Sequence, residues 1–209
     1  MLEQQTLKLK YHEQPQDEPN EPIEDSEGDK TITHKKYATI VADPPWYQRG
    51  GGKCKRGADR HYPILKEHQI KNIMFNYLDD KVADNAHLYL WTVNNHLPEA
   101  LRIIEHLGFR YITNLVWAKP YFGLGRYFRG QHELCLFATK GRGFTPKTSK
   151  NNISTLIGQS LIKPTTHSTK PKVIYDLVEA RSQGPYLEMF ARNKRKGWDT
   201  WGNEIDNKA

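Results

Sequence analysis

The sequence predicts an α/β domain whose mainly parallel β-sheet carries helices on both faces. Short apolar segments rich in β-branched and aromatic residues alternate with segments whose apolar residues recur every three or four positions. These are the patterns of buried strands and amphipathic helices, and their alternation is typical of parallel α/β sheets. A chain of 209 residues can bury a substantial core in a single domain.

The N-terminal half of this domain begins with a strand. Tyr37–Ala42 is an unbroken apolar run and predicts a buried strand. Ile64–Tyr77 repeats Leu, Ile, Ile and Met at helical spacing, so a helix is expected next. Ala86–Trp91 is again a short apolar run and predicts a second strand. Leu97–Leu107 returns to the helical spacing, and Gly108 follows it as a C-cap.

The C-terminal half continues the alternation after two consecutive strands. Ile112–Ala118 and Glu133–Thr139 are rich in β-branched and apolar residues and predict strands. Pro171–Arg181 begins with a proline suited to the first turn of a helix. Tyr186–Phe190 predicts a further strand, and a shorter one is expected near Trp198–Trp201.

The charge of the chain is divided unevenly. The net charge is +7, but residues 1–34 hold three Lys and nine acidic residues, which gives that segment a charge of −6. The segment also contains Pro15, Pro19 and Pro22 and little apolar periodicity, so we predict an acidic, disordered tail. Residues 35–209 carry the remaining charge of +13 and form the predicted globular domain. A basic domain favours a polyanionic partner such as nucleic acid.

Composition also excludes some classes of protein. No run of 18 or more apolar residues occurs, so we expect no membrane-spanning helix. The N-terminus lacks the basic and then apolar pattern of a signal peptide. Cys54 and Cys135 are too few for a disulfide framework and fit a reducing cytoplasm. The nine histidines show no metal-ligand spacing, so we predict a cytoplasmic protein without a metal site.

The residues after the first strand carry the most specific chemistry. Asp43 supplies a carboxylate at the carboxyl end of a strand, where open α/β sheets bind ligands. Pro44 and Pro45 lack N–H groups and fix φ, so they predict a rigid turn with bare carbonyl acceptors. Trp46 offers a flat face for a planar base. Together these groups could hold the amino group of a nucleobase for attack on a methyl donor. The alternative is an ordinary turn with a Trp covering the core.

Three loops combine basic and aromatic residues, and each follows a strand. Tyr47–Tyr62, Lys119–Gln131 and Thr139–Ser168 are expected at the ligand-binding edge of the sheet, where they would form a cleft for phosphates and bases. The alternative is a set of solvated loops, but long loops in compact domains are usually functional. Thr139–Ser168 is the candidate reader of the target sequence. The candidate nucleic-acid contacts are Arg49, Lys53, Lys55, Arg56, Arg60, Lys119, Arg126 and Arg129.

Several motifs share their order with a known family. The strand that ends in Asp43-Pro44-Pro45-Trp46 is similar to the catalytic segment of S-adenosylmethionine-dependent amino methyltransferases. The motifs that follow are Tyr62-Pro63, Leu88-Tyr89-Leu90-Trp91, Val116-Trp117-Ala118-Lys119, His132-Glu133-Leu134-Cys135-Leu136, His167-Ser168-Thr169-Lys170-Pro171, Leu187-Glu188-Met189-Phe190-Ala191-Arg192 and Trp201-Gly202-Asn203-Glu204. In this order, over about residues 37–206, they resemble the family of the eukaryotic mRNA adenosine methyltransferase catalytic subunit and its bacterial and phage DNA adenine methyltransferase relatives.

The resemblance implies a Rossmann-like fold in which the catalytic motif precedes most cofactor-binding motifs. It also implies roles for individual residues. Asp43, Pro44, Pro45 and Trp46 match the catalytic positions, with Asp43 and Pro44 accepting hydrogen bonds from the adenine amino group and bordering the cofactor. Trp46 and Tyr62 match aromatic positions around a flipped base. The other expected S-adenosylmethionine contacts are Ser168 and Lys170, near the methionine carboxylate, and Phe190, Arg192, Asn203 and Glu204, around the ribose and adenine.

The resulting prediction is a bacterial or phage-type methyltransferase that acts on N6 of adenine in DNA. DNA is favoured because the chain is compact and lacks the additional RNA-binding modules of the mRNA enzymes. The alternatives are an RNA adenosine N6-methyltransferase, a cytosine N4-methyltransferase and an inactive nucleic-acid-binding subunit. The intact Asp43 argues against the last, since silent subunits usually lose this acid. The expected partners are nucleic acid and a second subunit in a homodimer or heterodimer.

Overall fold

Seven strands form one sheet within the part of the chain that the structure, a computed structural model, describes. The described residues are 35–47, 64–123, 125, 127–142, 153–157 and 170–202. The strands lie in the order β5-β3-β4-β2-β1-β6-β7. The elements are β1 (Tyr37–Ala42), α1 (Glu67–Leu78), β2 (Val82–Thr92), α2 (Leu97–His106), β3 (Arg110–Ala118), β4 (His132–Lys140), β5 (Leu156–Ile157), α3 (Val173–Arg181), β6 (Tyr186–Met189) and β7 (Trp198–Trp201).

All strands of this sheet except β4 run in the same direction. β1 is parallel to β2 and β6, β6 is parallel to β7, and β3 is parallel to β5. β4 is antiparallel to both of its neighbours, β2 and β3. The predicted mainly parallel sheet is therefore confirmed. The parallel strands end at one side of the sheet, which we call the carboxyl edge, and β4 begins there because it runs the opposite way.

Helices cover both faces of the sheet, as predicted. α1 and α2 bury Met74 and Ile104 in one hydrophobic cluster, and α3 buries Val178 in another. Side chains alternate along β1, so Ile40 joins the first cluster and Val41 the second. Each fully buried aliphatic side chain of this kind contributes about 1.5–3 kcal/mol to folding. No helix among the described residues is long and apolar enough to cross a membrane.

The predicted elements are confirmed, with shifts at several ends and two omissions, which are β5 and a 3₁₀ helix at Asn94–His96. β1 has the predicted bounds, and Gly108, which follows the C-cap residue Leu107 of α2, has φ +75°, the left-handed conformation in which many helices end. α1 begins only at Glu67 because Leu65 instead forms a parallel bridge with Trp46. β5 was not predicted, since it comprises only two residues that pair with the end of β3.

The Thr139–Ser168 loop begins at the wrong edge for its predicted role. Because β4 is antiparallel to β2, its last residue, Lys140, pairs with Ala86 in the first half of β2. The backbone N–H of Arg142 then donates to Asn85 Oδ1 at 2.9 Å. The loop therefore leaves the sheet at the side opposite the carboxyl edge. The remainder of this loop apart from residues 153–157, and the predicted acidic tail over residues 1–34, lie outside the described residues.

Candidate active site

The turn after β1 lies at the centre of the carboxyl edge. The backbone N–H of Asp43 donates to Met189 O at 3.4 Å and extends the pairing of β1 with β6 by one residue. Trp46 N–H then donates to Pro44 O at 2.9 Å, which closes a tight turn. Since both prolines also have a fixed φ, the Asp43 side chain is held on rigid backbone between two parallel strands.

The two proline carbonyls of this turn have different partners. Pro44 O accepts the Trp46 N–H and keeps its second lone pair. Pro45 O accepts Leu65 N–H at 2.7 Å, and Tyr47 N–H donates to Leu65 O at 2.9 Å. The prediction that Pro45 presents a bare carbonyl is therefore corrected, because that oxygen anchors the turn to the segment before α1. Pro44 O is the carbonyl that can accept a further donor.

Trp46 is a buried anchor of the turn. Its Nε1–H donates to Trp91 O at 2.8 Å, and its ring stacks on His96 at 5.4 Å between centroids. His96 Nε2 in turn lies 2.5 Å from Tyr47 O. The exposed stacking face predicted for Trp46 is corrected, since the indole belongs to the core cluster between the sheet and α1 and α2. Trp suits this position because its large ring packs in the core while its N–H donates a hydrogen bond.

Lys170, just before α3, joins two carboxylates at the carboxyl edge. Its Nζ lies 2.6 Å from Asp43 Oδ2 and 3.4 Å from Glu133 Oε2. The Lys170 side chain is 7% exposed, whereas that of Asp43 is 24% exposed. Asp43 is therefore the accessible end of a buried ion pair. Within the described part of the chain, the hydrogen bond to the Asp43 carboxylate is made to Oδ2 and none is made to Oδ1.

Lys119 extends this arrangement to four alternating charges. Its Nζ forms a short ion pair with Glu133 Oε1. Burial opposes ionisation of Glu133, but Lys170 and Lys119 outweigh it and hold the Glu133 pKa below its ordinary value. Burial likewise disfavours the ammonium of Lys170, but Asp43 and Glu133 raise its pKa, with Arg192 acting in the opposite direction. We call Asp43, Lys170, Glu133 and Lys119 the charge chain.

Two tryptophans form the floor beneath the charge chain. Lys170 Nζ lies 5.2 Å from the Trp91 ring centroid, and Lys119 Nζ lies 5.0 Å from that of Trp117. The two indoles contact each other edge to face at 6.2 Å and are buried. They pack inside strands β2 and β3 and do not form an open surface. Trp91 Nε1 is a buried donor without a hydrogen-bond partner among the described residues.

The backbone after β6 and β7 shows why the motifs there contain glycine. A Cβ at Gly202 would lie 2.4 Å from Ala191 O, so only glycine allows the end of β7 to approach this turn. Phe190 precedes Ala191 and has φ +60°, which is rare for a bulky residue and is often found at functional sites. Its ring packs edge to face on Trp201 at 5.6 Å. The predicted cofactor residue Phe190 is thus held in a defined, strained turn at the carboxyl edge.

Of the other predicted cofactor residues, Lys170 and Arg192 are described. Both lie at the carboxyl edge, close enough for their charges to interact. Two cations, one of them buried, would suit an anionic group of a ligand. Predicted residues outside the described part of the chain are Tyr62, Ser168, Asn203 and Glu204.

Only two of the predicted nucleic-acid contacts are described. Lys119 is turned inward to Glu133 and Trp117, so its charge is already matched within the protein. Arg129 is exposed, and its Nε donates to Gly123 O at 3.0 Å. The remaining predicted contacts, Arg49, Lys53, Lys55, Arg56, Arg60 and Arg126, lie outside the described residues.

Sequence reasoning missed two acidic residues of this region. Glu133 was visible only as part of a motif, although a lone acid at the start of an apolar strand is a signal for a paired or functional charge. Glu188, in β6, accepts a hydrogen bond from Tyr175 Oη at 2.6 Å. Burial raises the pKa of Glu188, and the nearby Asp43 also raises it, against the effects of Tyr175 and Arg195. Among the described residues, Asp43, Glu133 and Glu188 are the acids of this region discussed above, and of these the sequence predicted only Asp43.

Comparison with known proteins gives a family match over most of the chain. The model of the MT-A70 family matches residues 37–204, which begins at β1 and includes the whole charge chain. The type II methyltransferase M.MunI of Mycoplasma is 32% identical over 198 residues, which are 85% of this chain and 82% of that protein.

Two human proteins are similar over a smaller part of their length. The N(6)-adenine-specific methyltransferase METTL4 of Homo sapiens is 30% identical over 190 residues, 82% of this chain and 38% of METTL4. The N(6)-adenosine-methyltransferase catalytic subunit METTL3 of Homo sapiens is 24% identical over 186 residues, 82% of this chain and 28% of METTL3. The chain thus spans most of the Mycoplasma protein and less than half of either human one.

Proposed function

The chain belongs to the MT-A70 family of methyltransferases, and from that premise we propose that it methylates the N6 amino group of adenine in DNA with S-adenosylmethionine as methyl donor. The observation that carries the proposal is the setting of Asp43. This acid follows β1 in a turn of fixed geometry, Lys170 binds one of its oxygens, and the Asp43 side chain remains 24% exposed. Such a group can accept a hydrogen bond from an amine without rearrangement.

The amino group of adenine needs help to act as a nucleophile. Its nitrogen lone pair is delocalised into the ring, so the free amine is nearly planar and unreactive. Asp43 Oδ1 and Pro44 O would accept its two N–H groups and favour a pyramidal nitrogen whose lone pair points away from the ring. Asp43 would also receive the proton that the nitrogen loses once its new bond has formed. Positioning of this kind supplies much of the rate enhancement when the electrophile is already activated.

The donor groups at the carboxyl edge fit S-adenosylmethionine. Lys170 has an ammonium with a third N–H beyond those facing its two carboxylates, Arg192 lies close by, and Trp91 Nε1 is a buried donor without a described partner. These residues would hold the methionine carboxylate, and Phe190 would border the rest of the cofactor. The cofactor supplies a sulfonium methyl group as the electrophile.

DNA is the proposed polymer because the type II methyltransferase M.MunI is similar to this chain over most of the length of both proteins. RNA is the second candidate, since a relative named as an N(6)-adenosine-methyltransferase catalytic subunit is 24% identical. The groups that hold the amine do not contact the sugar, so the active site itself would accept either polymer.

The test is to incubate the protein with labelled S-adenosylmethionine and with single- or double-stranded DNA or RNA. Mass spectrometry of the digested polymer then identifies the modified nucleoside. We expect N6-methyldeoxyadenosine, and Asp43→Ala should lower its rate of formation by about a hundredfold or more. Asp43→Asn tests the same role with the side-chain shape kept, and Asp79→Ala, an exposed acid after α1, is the matched control. Label on cytosine, or undiminished turnover by both Asp43 variants, would contradict the proposal.

A further inference from the structure

The connection between β3 and β4 exposes four aromatic side chains. We call this connection, residues 119–131, the aromatic arm; the structure describes it except for residues 124 and 126. The exposed fractions are 67% for Tyr121, 63% for Phe122, 87% for Tyr127 and 92% for Phe128. Clusters of exposed rings of this size mark interaction sites, because most of each ring remains in contact with water in the folded chain.

The arm has a defined backbone. Lys119 N–H donates to Gln131 O at 2.8 Å, which continues the antiparallel pairing of β3 and β4 by one residue, and Gly123 N–H donates to Gly130 O at 2.6 Å further out. A Cβ at Gly125 would lie 1.8 Å from Phe128 O, so the two limbs are too close for any side chain at this position. Arg129 adds a third link through its bond to Gly123 O. In the described residues of the arm, the rings are therefore presented on a hydrogen-bonded backbone that has no room for a side chain at Gly123 or Gly125.

The base of the arm is joined to the candidate active site through the charge chain. Lys119 begins the arm and pairs with Glu133, Glu133 contacts Lys170, and Lys170 pairs with Asp43. Three successive ion pairs thus separate the arm from the acid that would receive the target amine. A polymer with one base at Asp43 would place the adjoining bases near the arm.

We propose that the aromatic arm stacks on bases of the DNA substrate beside the adenine that is methylated. The proposal rests on the function proposed above. Taking an adenine out of a duplex exposes the faces of its neighbours, and flat apolar side chains are suited to cover them. Stacking on aromatic rings also tolerates any base, so the arm would support binding more than sequence choice.

The charges of the arm favour nucleic acid over a second copy of this chain. Residues 119–131 contain Arg126 and Arg129 and no Asp or Glu. A symmetric contact between two arms would bring the exposed Arg129 of each arm together without an acidic residue of the arm to neutralise it, whereas phosphates would do so. Lys119 is already paired with Glu133, so the rings rather than the lysine form the outward surface.

The test removes the two most exposed rings and measures binding without turnover. Tyr127→Ala/Phe128→Ala is compared with the wild type by fluorescence anisotropy on a labelled duplex that contains adenine, with S-adenosylhomocysteine present. We expect the affinity to fall about 5- to 100-fold, the range found for loss of stacked rings. Tyr127→Leu/Phe128→Leu should fall equally, because leucine is apolar but cannot stack. Phe75→Ala, which removes a 44% exposed ring from α1, is the matched control and should bind normally.

Salt dependence separates stacking from charge. The slope of log affinity against log salt should be unchanged in the Ala and Leu double variants. In Arg129→Ala that slope should become shallower by about one, if the guanidinium contacts a phosphate. An equal change of slope in the ring variants would overturn the assignment of stacking to the rings.

Two further results would also overturn the proposal. One is normal duplex affinity in both double variants. The other is a wild-type dimer that becomes monomeric in these variants while the affinity per chain stays constant, which would make a second copy the partner. Failure of the proposed function would give a different result from failure of the arm proposal. In that case the wild type would yield no methylated adenine in any polymer, while the arm variants would still lose DNA affinity.

Discussion

Replacing Glu133 with Gln tests whether the charge chain acts as one unit. Glu133 is buried and contacts both Lys119 and Lys170, so the amide removes one negative charge from between two cations. Breaking a buried ion pair by neutralising one partner costs about 3–5 kcal/mol. The cost should lie near the lower limit here, because Lys170 keeps Asp43 at 2.6 Å and the Lys119 side chain is 31% exposed to water.

The expected loss in free energy of unfolding at pH 7 is therefore about 3 kcal/mol. For a domain of this size, that loss corresponds to a decrease in Tm of roughly 6–12 °C. Urea unfolding followed by circular dichroism measures the free energy directly. Glu105→Gln, an exposed acid on α2, is the matched control and should change it by less than about 0.5 kcal/mol.

The lowered pKa of Glu133 determines how the stability difference between the two proteins changes with pH. The Glu133 pKa is lowered from 4.5, since Lys170 and Lys119 outweigh the opposing effect of burial. The unfolded chain therefore binds this proton at a higher pH than the folded protein does. The stability that Glu133 contributes is fully present above pH 4.5 and is lost as the pH falls through the folded pKa. The difference between the wild type and Glu133→Gln should accordingly shrink below pH 4.5.

The reasoning is refuted if the two proteins differ by less than about 1 kcal/mol at pH 7, the worth of a surface pair. It is also refuted if their difference grows on acidification. A second measurement concerns the cofactor site: titration calorimetry with S-adenosylhomocysteine should show weaker binding by Glu133→Gln, because Lys170 is then held by one carboxylate instead of two.

Three other changes have definite expected outcomes. Lys170→Met leaves two carboxylates without their shared cation and should cost about 3–5 kcal/mol in urea unfolding, with S-adenosylhomocysteine binding lost in calorimetry. Gly202→Ala forces a Cβ to 2.4 Å from Ala191 O and should lower the urea midpoint by the equivalent of about 1–3 kcal/mol. Trp46→Phe leaves the carbonyl of Trp91 without its buried donor and should cost about 1–3 kcal/mol in the same assay; an unchanged midpoint would contradict the anchoring role.

The sequence predicts the elements well because their signals are local. Tyr37–Ala42 is recognisable from its own composition, and Gly108 from its place after a periodic segment. Leu156–Ile157 has no such signal, since two residues become a strand only by pairing with the end of β3. The reversed direction of β4 is likewise invisible in its residues, because antiparallel and parallel strands in a buried sheet have similar apolar composition.

For the candidate active site, the sequence indicates which side chains are chemically suited to it but does not indicate which of them form ion pairs and hydrogen bonds with one another. Asp43 and Lys170 were expected to serve an amine and a carboxylate separately, but the structure joins them at 2.6 Å. Trp46 was expected to face a base, and its hydrogen bond to a carbonyl 45 residues away makes it an anchor of the turn. Each difference involves a partner distant in the chain, which local chemistry cannot identify.

The reversed strand explains why these separate groups form one charge chain. In a wholly parallel sheet the carboxyl edge receives only residues that follow strands, such as Asp43 after β1 and Lys119 after β3. β4 runs the other way, so it brings Glu133, a residue at its beginning, to the same edge and between the two lysines. With Glu133 present, the charge chain contains two lysines and two acids, so its positive and negative charges are equal in number. An anionic ligand at Lys170 would share this ammonium with Asp43, so binding at one end of the charge chain should change the acceptor at the other.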